Sequence, residues 1–570
     1  MKLFNATLSG LILACLLGCT SEDAQKADLI LANGKIYTVN SDQPWVSHVA
    51  IQGGKIVATG DASILAAWKG EDTEVQDLEE AFVMPGFIEG HGHFSGLGMS
   101  LLNLNFLQSK SWDEIVAEVA EAAAELEPGV WIEGRGWHQE KWDERPGQNV
   151  NGYPFHYALS EAAPDNPVIL FHASGHSLFA NDAAMELAAV TAESVSPEGG
   201  EVVKDAQGQP IGVFEERAMK LIINSYQEYL DGLPQEALNA KWYRAIELAQ
   251  EECLAKGITS FQDAGSKYYE IERYTDLAEN DSLDLRLWVM LRHSYAEMKD
   301  RMQGFPIVDA GAGYFSCRAI KTEVDGALGA FGAWLLAPYH DKPDFLGQNT
   351  TSVQEVKNIA TLAREHKMQL CVHAIGDRAN RVVLDIMEEE KPKFGQEDWR
   401  WRIEHAQHLD TTDIPRFRTL GIIASMQGIH CTSDAPFVVS RLGEERARLG
   451  AYPWRSLLDA GVVIANGTDA PVEDVDPLIS YYASVTRKRA DNGFEFFPEQ
   501  RMTREEAVYS YTLGNAFAAF EDDWKGSIEP GKVADLVVLS KNLIDCTDEE
   551  ILEAEVLQTV VGGETKFRKE

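Results

Sequence analysis

Short apolar runs parted by turn signals fill the first part of the chain. Leu29-Ile30-Leu31 is followed by Asn33-Gly34 and then by Lys35-Ile36-Tyr37-Thr38-Val39. Gly53-Gly54 separates Val49-Ala50-Ile51 from Ile56-Val57-Ala58. Runs of this length around such dipeptides predict β-hairpins. The style returns near the other end, in Ala534–Leu539 and in Thr559-Val560-Val561 before Gly562-Gly563. Two strand-rich ends around one long middle predict a small composite β-sandwich built from residues 28–84 and 526–570.

The middle alternates strands with helices. Apolar strand candidates recur at Phe87–Glu89, Ile258–Gln262, Leu285–Leu291, Ala319–Glu323, Gln369–Val372, Arg402–Glu404, Ile422–Met426 and Val462–Ala465. Ser111 with Glu114, Ser352 with Glu355 and Thr503 with Glu506 have capping-box spacing at helix starts. Eight strand–helix units predict an α/β fold, a (β/α)8 TIM barrel over residues 85–525. The first and second strands are too far apart for a single crossover, so residues 96–235 are expected to form a large insertion over the barrel mouth. Trp131, Trp137 and Trp142 fall within it. Burial in a core is the ordinary fate of such rings, and a pocket wall is the alternative.

Composition narrows the partners. Hydrophobic residues make up 45% and charged residues 25%, enough for a large folded core. Acids outnumber bases, 90 to 50, for a net charge of −40. Such a surface repels phosphate backbones, which argues against nucleic acid as a partner. At the start, Lys2 precedes the apolar stretch Leu8–Leu17, too short to span a bilayer. It ends in Leu16-Leu17-Gly18-Cys19, which resembles a bacterial lipobox. Residues 1–18 are then expected to be a lipoprotein signal peptide, with Cys19 lipidated and residues 19–27 a tether. That implies a periplasmic or cell-surface protein held by acyl chains alone, at the outer membrane of a Gram-negative cell. The cysteines beyond it (Cys253, Cys317, Cys371, Cys431 and Cys546) have no CxxC spacing and read as small core residues.

Candidate chemistry sits where the predicted barrel strands end, the side from which TIM-barrel catalytic groups project. His91 and His93 are two apart on an extended run, so they face the same way, and Gly90 and Gly92 leave room beside them. Lys321, His373, His405 and Asp469 follow at the fourth, fifth, sixth and eighth strands. Each alone has an ordinary structural explanation. Together they suit zinc or a similar divalent metal, which takes imidazole and carboxylate.

The run Val83-Met84-Pro85-Gly86-Phe87-Ile88-Glu89-Gly90-His91-Gly92-His93 resembles the opening of the amidohydrolase superfamily. Further segments are similar to amidohydrolase family 3, the group that includes N-substituted formamide deformylase-like proteins. They are Trp131–Trp137, Gly257–Ser260 with Asp263, Lys321 with Asp325-Gly326, His373–Asp377, His405-Ala406-Gln407, Thr468–Pro471 and Gly526–Leu536. The resemblance covers residues 27–567. Two positions depart from the pattern: Glu89 stands where many members have Asp, and Gly428 where a Pro is frequent, although His430 still follows.

The resemblance implies hydrolysis of a carbon–nitrogen bond other than a peptide bond, with esters and lactones sharing the same intermediate. It implies His91 and His93 on one metal, His373 and His405 on a second, and a carboxylated Lys321 bridging them. Asp469 would bind the first metal and act as general base, then general acid. A single metal with Lys321 unmodified is the alternative. For the small-molecule substrate, His176, His430 and Arg378 are the binding candidates, and Asp377 offers Arg378 a simpler ion-pair role. A binding protein on an inactive scaffold, a deacetylase or an esterase remain the competing functions, and a homo-oligomer is open.

Overall fold

The computed structural model describes residues 26–395 and 397–569. The expected signal peptide and Cys19 lie outside the described residues. Among the described residues, no helix is long and apolar enough to cross a membrane.

Eight parallel strands form the barrel: β1 (Phe87–Gly92), β2 (Ile258–Ser266), β3 (Arg286–Leu291), β4 (Phe315–Glu323), β5 (Gln369–Ala374), β6 (Arg402–His405), β7 (Ile423–Gln427) and β8 (Ile464–Gly467). Each pairs with the next in chain order. These are the eight runs expected from sequence, and nearly every residue in them is buried because helices cover the outer face and side chains fill the inside. Backbone bonds close the ring from β8 to β1. Asp469 N donates to His91 O at 2.7 Å, and His93 N donates to Ala470 O at 2.6 Å. The Asn515 side chain stitches the same seam, donating to Ile88 O at 2.6 Å and Asn466 O at 2.7 Å and accepting from Asn466 N at 3.1 Å. Gly90 makes that close approach possible: a Cβ there would stand 2.4 Å from both Asn466 O and Asn515 Oδ1.

The chain ends build a separate β domain of two facing sheets. One is four-stranded, from residues between Leu29 and Asp77. The other is six-stranded and joins Lys35–Tyr37, Trp45–Val46 and Phe82–Pro85 to Leu536–Leu539, Val556–Val561 and Glu564–Arg568. Leu31, Ile36, Val83, Leu536 and Val560 fill the space between them. Phe82–Pro85 runs almost directly into β1, so the domain braces the strand that carries His91. Asp535 adds an ion pair to Arg286 of β3 at 2.7 Å.

Between β1 and β2 the chain makes a further sheet of six short strands with its own core. Trp137 and Trp142 are buried in that core, and Trp131 in a second small cluster beside it. None of the three lines the cavity described below. Helices Phe94–Leu102 and Gln235–Ala255 return the insertion to the barrel and pack so closely that a Cβ at Gly98 would stand 1.9 Å from Ala245 O. Of the three expected capping boxes, Thr503–Glu506 is reciprocal. Ser111 and Ser352 each cap their helix, but Glu114 accepts from Lys110 N and Glu355 from Tyr295 N instead. Among the described residues all five cysteines are free, and all but Cys546 are buried.

Candidate metal centre

Three donors converge at the C-terminal end of the barrel. One ligand atom each from His91, His405 and Asp469 lies within 4.8 Å of the others, and all three residues are buried. His91 ends β1, His405 ends β6, and Asp469 follows β8. In a regular strand Glu404 and His405 would point to opposite faces. His405 escapes this with φ +72°, and Asp469 has φ +61°, so two of the three donors sit in left-handed backbone that L side chains rarely adopt.

Hydrogen bonds on the far ring nitrogens set which nitrogen is free. His91 Nδ1 is hydrogen-bonded to the Glu404 carboxylate, and His405 Nδ1 lies 2.8 Å from Gln427 Oε1. Both partners accept, so each ring carries its proton on Nδ1 and presents the Nε2 lone pair inward. Glu404 is held in turn by Arg402, whose Nε and Nη2 donate to it at 2.7 and 3.0 Å. Burial pushes the Glu404 carboxyl up, but Arg402 and His91 outweigh it and hold it well below the usual carboxylate range. Burial, with Lys321 nearby, lowers His91 to about 4, and burial holds His405 well below its ordinary value, so both imidazoles are neutral ligands. Burial likewise pushes Asp469 up, yet His93, at 3.2 Å, and the surrounding imidazoles hold it well below its ordinary value.

Two neutral imidazoles and a carboxylate are the donor set a divalent cation takes. The unmet polarity fits it too: His91 Nε2 and Asp469 Oδ1 are buried with no hydrogen-bond partner. Leaving the His91 nitrogen unsatisfied is costly unless a bound group uses it.

The expected two-metal arrangement is corrected by this geometry. The cluster takes one donor from each expected pair, because the His91 and His405 rings are only 4.7 Å apart and serve one centre. Among the described residues there is no second cluster for a carboxylated Lys321 to bridge to. Lys321 is a buried amine, its pKa lowered by burial and Arg292 against the pull of Glu404 and Asp469. His93 Nε2 lies 3.2 Å from Asp469 Oδ1. The His373 ring is 4.4 Å from that of His405, and its Nε2 is 3.8 Å from Asp325 Oδ1. Both stand beside the triad without belonging to it.

Above the triad opens a cavity of about 640 Å³. Barrel loops and the insertion line it together, with His176 and Glu216 from the insertion facing His373, His405, His430 and Asp469. Arg378 does not line it: the guanidinium lies 5.5 Å over the Trp334 ring and donates to Leu336 O.

The model of the amidohydrolase family matches residues 74–567. The chain belongs to the amidohydrolase family. This amidohydrolase is 31% identical over 555 residues to Protein LONG AFTER FAR-RED 3 of Arabidopsis thaliana, covering 95% of this chain and 92% of the relative. It is 29% identical over 562 residues to N-substituted formamide deformylase of Arthrobacter pascens, covering 96% and 99%. An uncharacterized metal-dependent hydrolase from Pyrococcus furiosus has the same fold, with a TM-score of 0.71 and 28% identity over 91% of this chain and all of the other. A buried metal triad in this fold makes the protein a metal-dependent hydrolase of carbon–nitrogen bonds other than peptide bonds, acting on a small molecule.

Sequence reasoning overlooked Glu404, Gln427 and Glu216. The signal for Glu404 was its two-residue spacing from Arg402, which puts both charges inside the barrel. Glu89 plays a linking part: its carboxyl accepts from His91 N at 3.1 Å and from Thr468 N at 2.7 Å, and burial raises its pKa to about 8.

Proposed function

We propose that this amidohydrolase cleaves an uncharged N-acyl amide, with Asp469 moving the proton. The observation that carries the reading is the state of the cavity's cations. Lys141 is paired with Glu473 at 3.0 Å, Arg441 with Asp341, and Lys342 lies over the rings of Phe331 and Phe345. Glu201, Glu215 and Glu216 add negative charge to the same walls. A carboxylate on the substrate would meet repulsion from these acids, and Lys141 and Arg441 are already paired. The Arthrobacter relative, whose name gives an N-substituted formamide as its substrate, supports the same class.

A divalent cation held by His91, His405 and Asp469, zinc by the chemistry of these donors, supplies Lewis acidity that polarises a carbonyl and lowers the pKa of water to about 7. The protein does the rest. Asp469 Oδ1 is the oxygen nearest His91 and His93, which leaves Oδ2 to take a proton from the attacking water. As the C–O bond forms and the C–N bond breaks, Asp469 returns that proton to the leaving nitrogen. Gln407 Nε2 donates to His430 Nδ1 at 3.0 Å, so His430 carries its own proton on Nε2, which is buried without a partner. It donates that hydrogen to the carbonyl oxygen as negative charge grows there.

The lipobox-like Leu16-Leu17-Gly18-Cys19 supports a lipid-anchored protein on the periplasmic side. The test of function is a panel of N-formyl, N-acyl and cyclic amides. We expect metal-dependent turnover of uncharged members, abolished by a chelator and restored by zinc. No metal-dependent turnover of any amide, or a preference for carboxylate-bearing members, would overturn the reading.

A further inference from the structure

The insertion brings a second imidazole–carboxylate pair to the cavity. His176 immediately precedes the strand Ser177–Ala180, and Glu216 ends the strand Pro210–Glu216. These strands are antiparallel neighbours with Ser177 opposite Glu215, so the sheet sets the two residues side by side. Glu216 N donates to His176 O at 2.9 Å. His176 Nδ1 lies 3.1 and 3.3 Å from the two Glu216 carboxylate oxygens.

Two features mark the pair as more than a surface contact. Glu216 has φ +49° and ψ −123°, a conformation natural to glycine and strained for any L side chain. Opposite it, Gly326 in the loop after β4 leaves space for the ring: a Cβ there would stand 3.2 Å from His176 Cε1. The imidazole therefore reaches from the insertion to the barrel mouth on the β4–β5 side, close enough for its charge to act on His373. Burial alone would lower the proton affinity of His176, but Glu216, Glu323 and Asp325 outweigh it and raise it above the ordinary value, which favours the ring form with a hydrogen on Nε2 as well.

We propose that Glu216 is a positioning residue that holds His176 by Nδ1 and aims its Nε2–H at an acceptor oxygen on the substrate's substituent. His176 then selects uncharged amides bearing an ether or carbonyl oxygen away from the scissile bond. This rests on the amide-hydrolase reading above. It makes the insertion a specificity element for chemistry done by the barrel.

The experiment uses the full-length metal-loaded enzyme and a series of uncharged formamides. In each, one methylene of the substituent is replaced by an ether oxygen, walked outward from the nitrogen. Wild type is expected to favour at least one ether over the all-carbon parent in kcat/KM by about tenfold or more, the size a hydrogen bond from a charged donor carries. Asparagine mimics the Nδ1 side of histidine, and glutamine mimics the Nε2 side. His176→Gln should therefore keep part of the preference, while His176→Asn and Glu216→Gln lose it with metal content unchanged. Glu216→Gly removes the strain with the side chain, so it should lose the preference without a lower Tm. Retention of the preference by His176→Asn, or equal use of every ether and the parent by wild type, overturns the proposal. Wild type that hydrolyses none of them overturns the amide-hydrolase reading instead.

Discussion

At the scale of single residues, proton placement sorts the histidines of this site into ligands and donors. Glu404 and Gln427 take the Nδ1–H of His91 and His405, and that frees Nε2 for a cation. Gln407 does the reverse for His430. Gln427→Leu should leave the fold intact but weaken metal binding about 10–100-fold, the usual cost of removing such a partner. Competition with a chelator measures it, and unchanged affinity would contradict the tautomer argument. Asp469→Asn should lower kcat by about 10²–10⁴, the contribution typical of general acid–base catalysis, with KM near wild type. Steady-state kinetics on a responsive amide checks this, and an unchanged kcat would remove Asp469 from proton transfer. His91, His405 and Asp469 were legible in the sequence because each stands at or just after the end of an expected barrel strand, where barrel ligands must lie. Their partners were not, because Glu404 and Gln427 sit inside strands and reveal themselves only once the barrel closes. The bridging role expected of Lys321 needed a second cluster of donors, and a one-dimensional pattern cannot tell two sites from one shared site.

At the scale of elements, the seam between the first and last strands holds two of the three donors in register. Asn515 bridges Ile88 O and Asn466 O, and Gly90 lets it enter. Gly90→Ala forces a methyl against both groups and should cost about 1–3 kcal/mol, as overpacking does. Urea denaturation gives the value, and a stability equal to wild type would show the seam to be looser than described. The barrel strands were readable because they are buried on both faces and most contain a short apolar run, such as Leu287–Leu291 in β3, although β6 is Arg-Ile-Glu-His. The insertion's sheet was not readable as such. Its strands mix parallel and antiparallel pairs, and Leu104–Asn105 contributes only two residues. The tryptophans in it proved to be core because Trp137 and Trp142 fill the space beneath that sheet.

At the scale of the whole molecule, a net charge of −40 surrounds a site built from uncharged imidazoles. Burial, the largest cause, lowers His91 to about 4 and His172 and His408 to about 3, and it holds His138, His373 and His405 well below 6.5. Such groups bind fewer protons folded than unfolded, so their contribution is present above 6.5 and lost as pH falls toward the folded values. Buried carboxyls act the opposite way, most strongly Glu89 at about 8, Asp325 at about 7 and Asp263 at about 6, but the six imidazoles held this low outweigh these three. The metal-free protein should therefore lose stability as pH drops from 6.5 to about 5. Denaturant titrations at the two ends test this, and constant or rising stability would contradict it.

The central claim is one cation held by His91, His405 and Asp469, on which hydrolysis depends. Metal content per chain, measured on purified wild type and on His405→Ala beside amide turnover, tests it most directly. The account predicts one equivalent in wild type and loss of both metal and turnover in the variant. Two equivalents in wild type, or full metal and activity in His405→Ala, would contradict it.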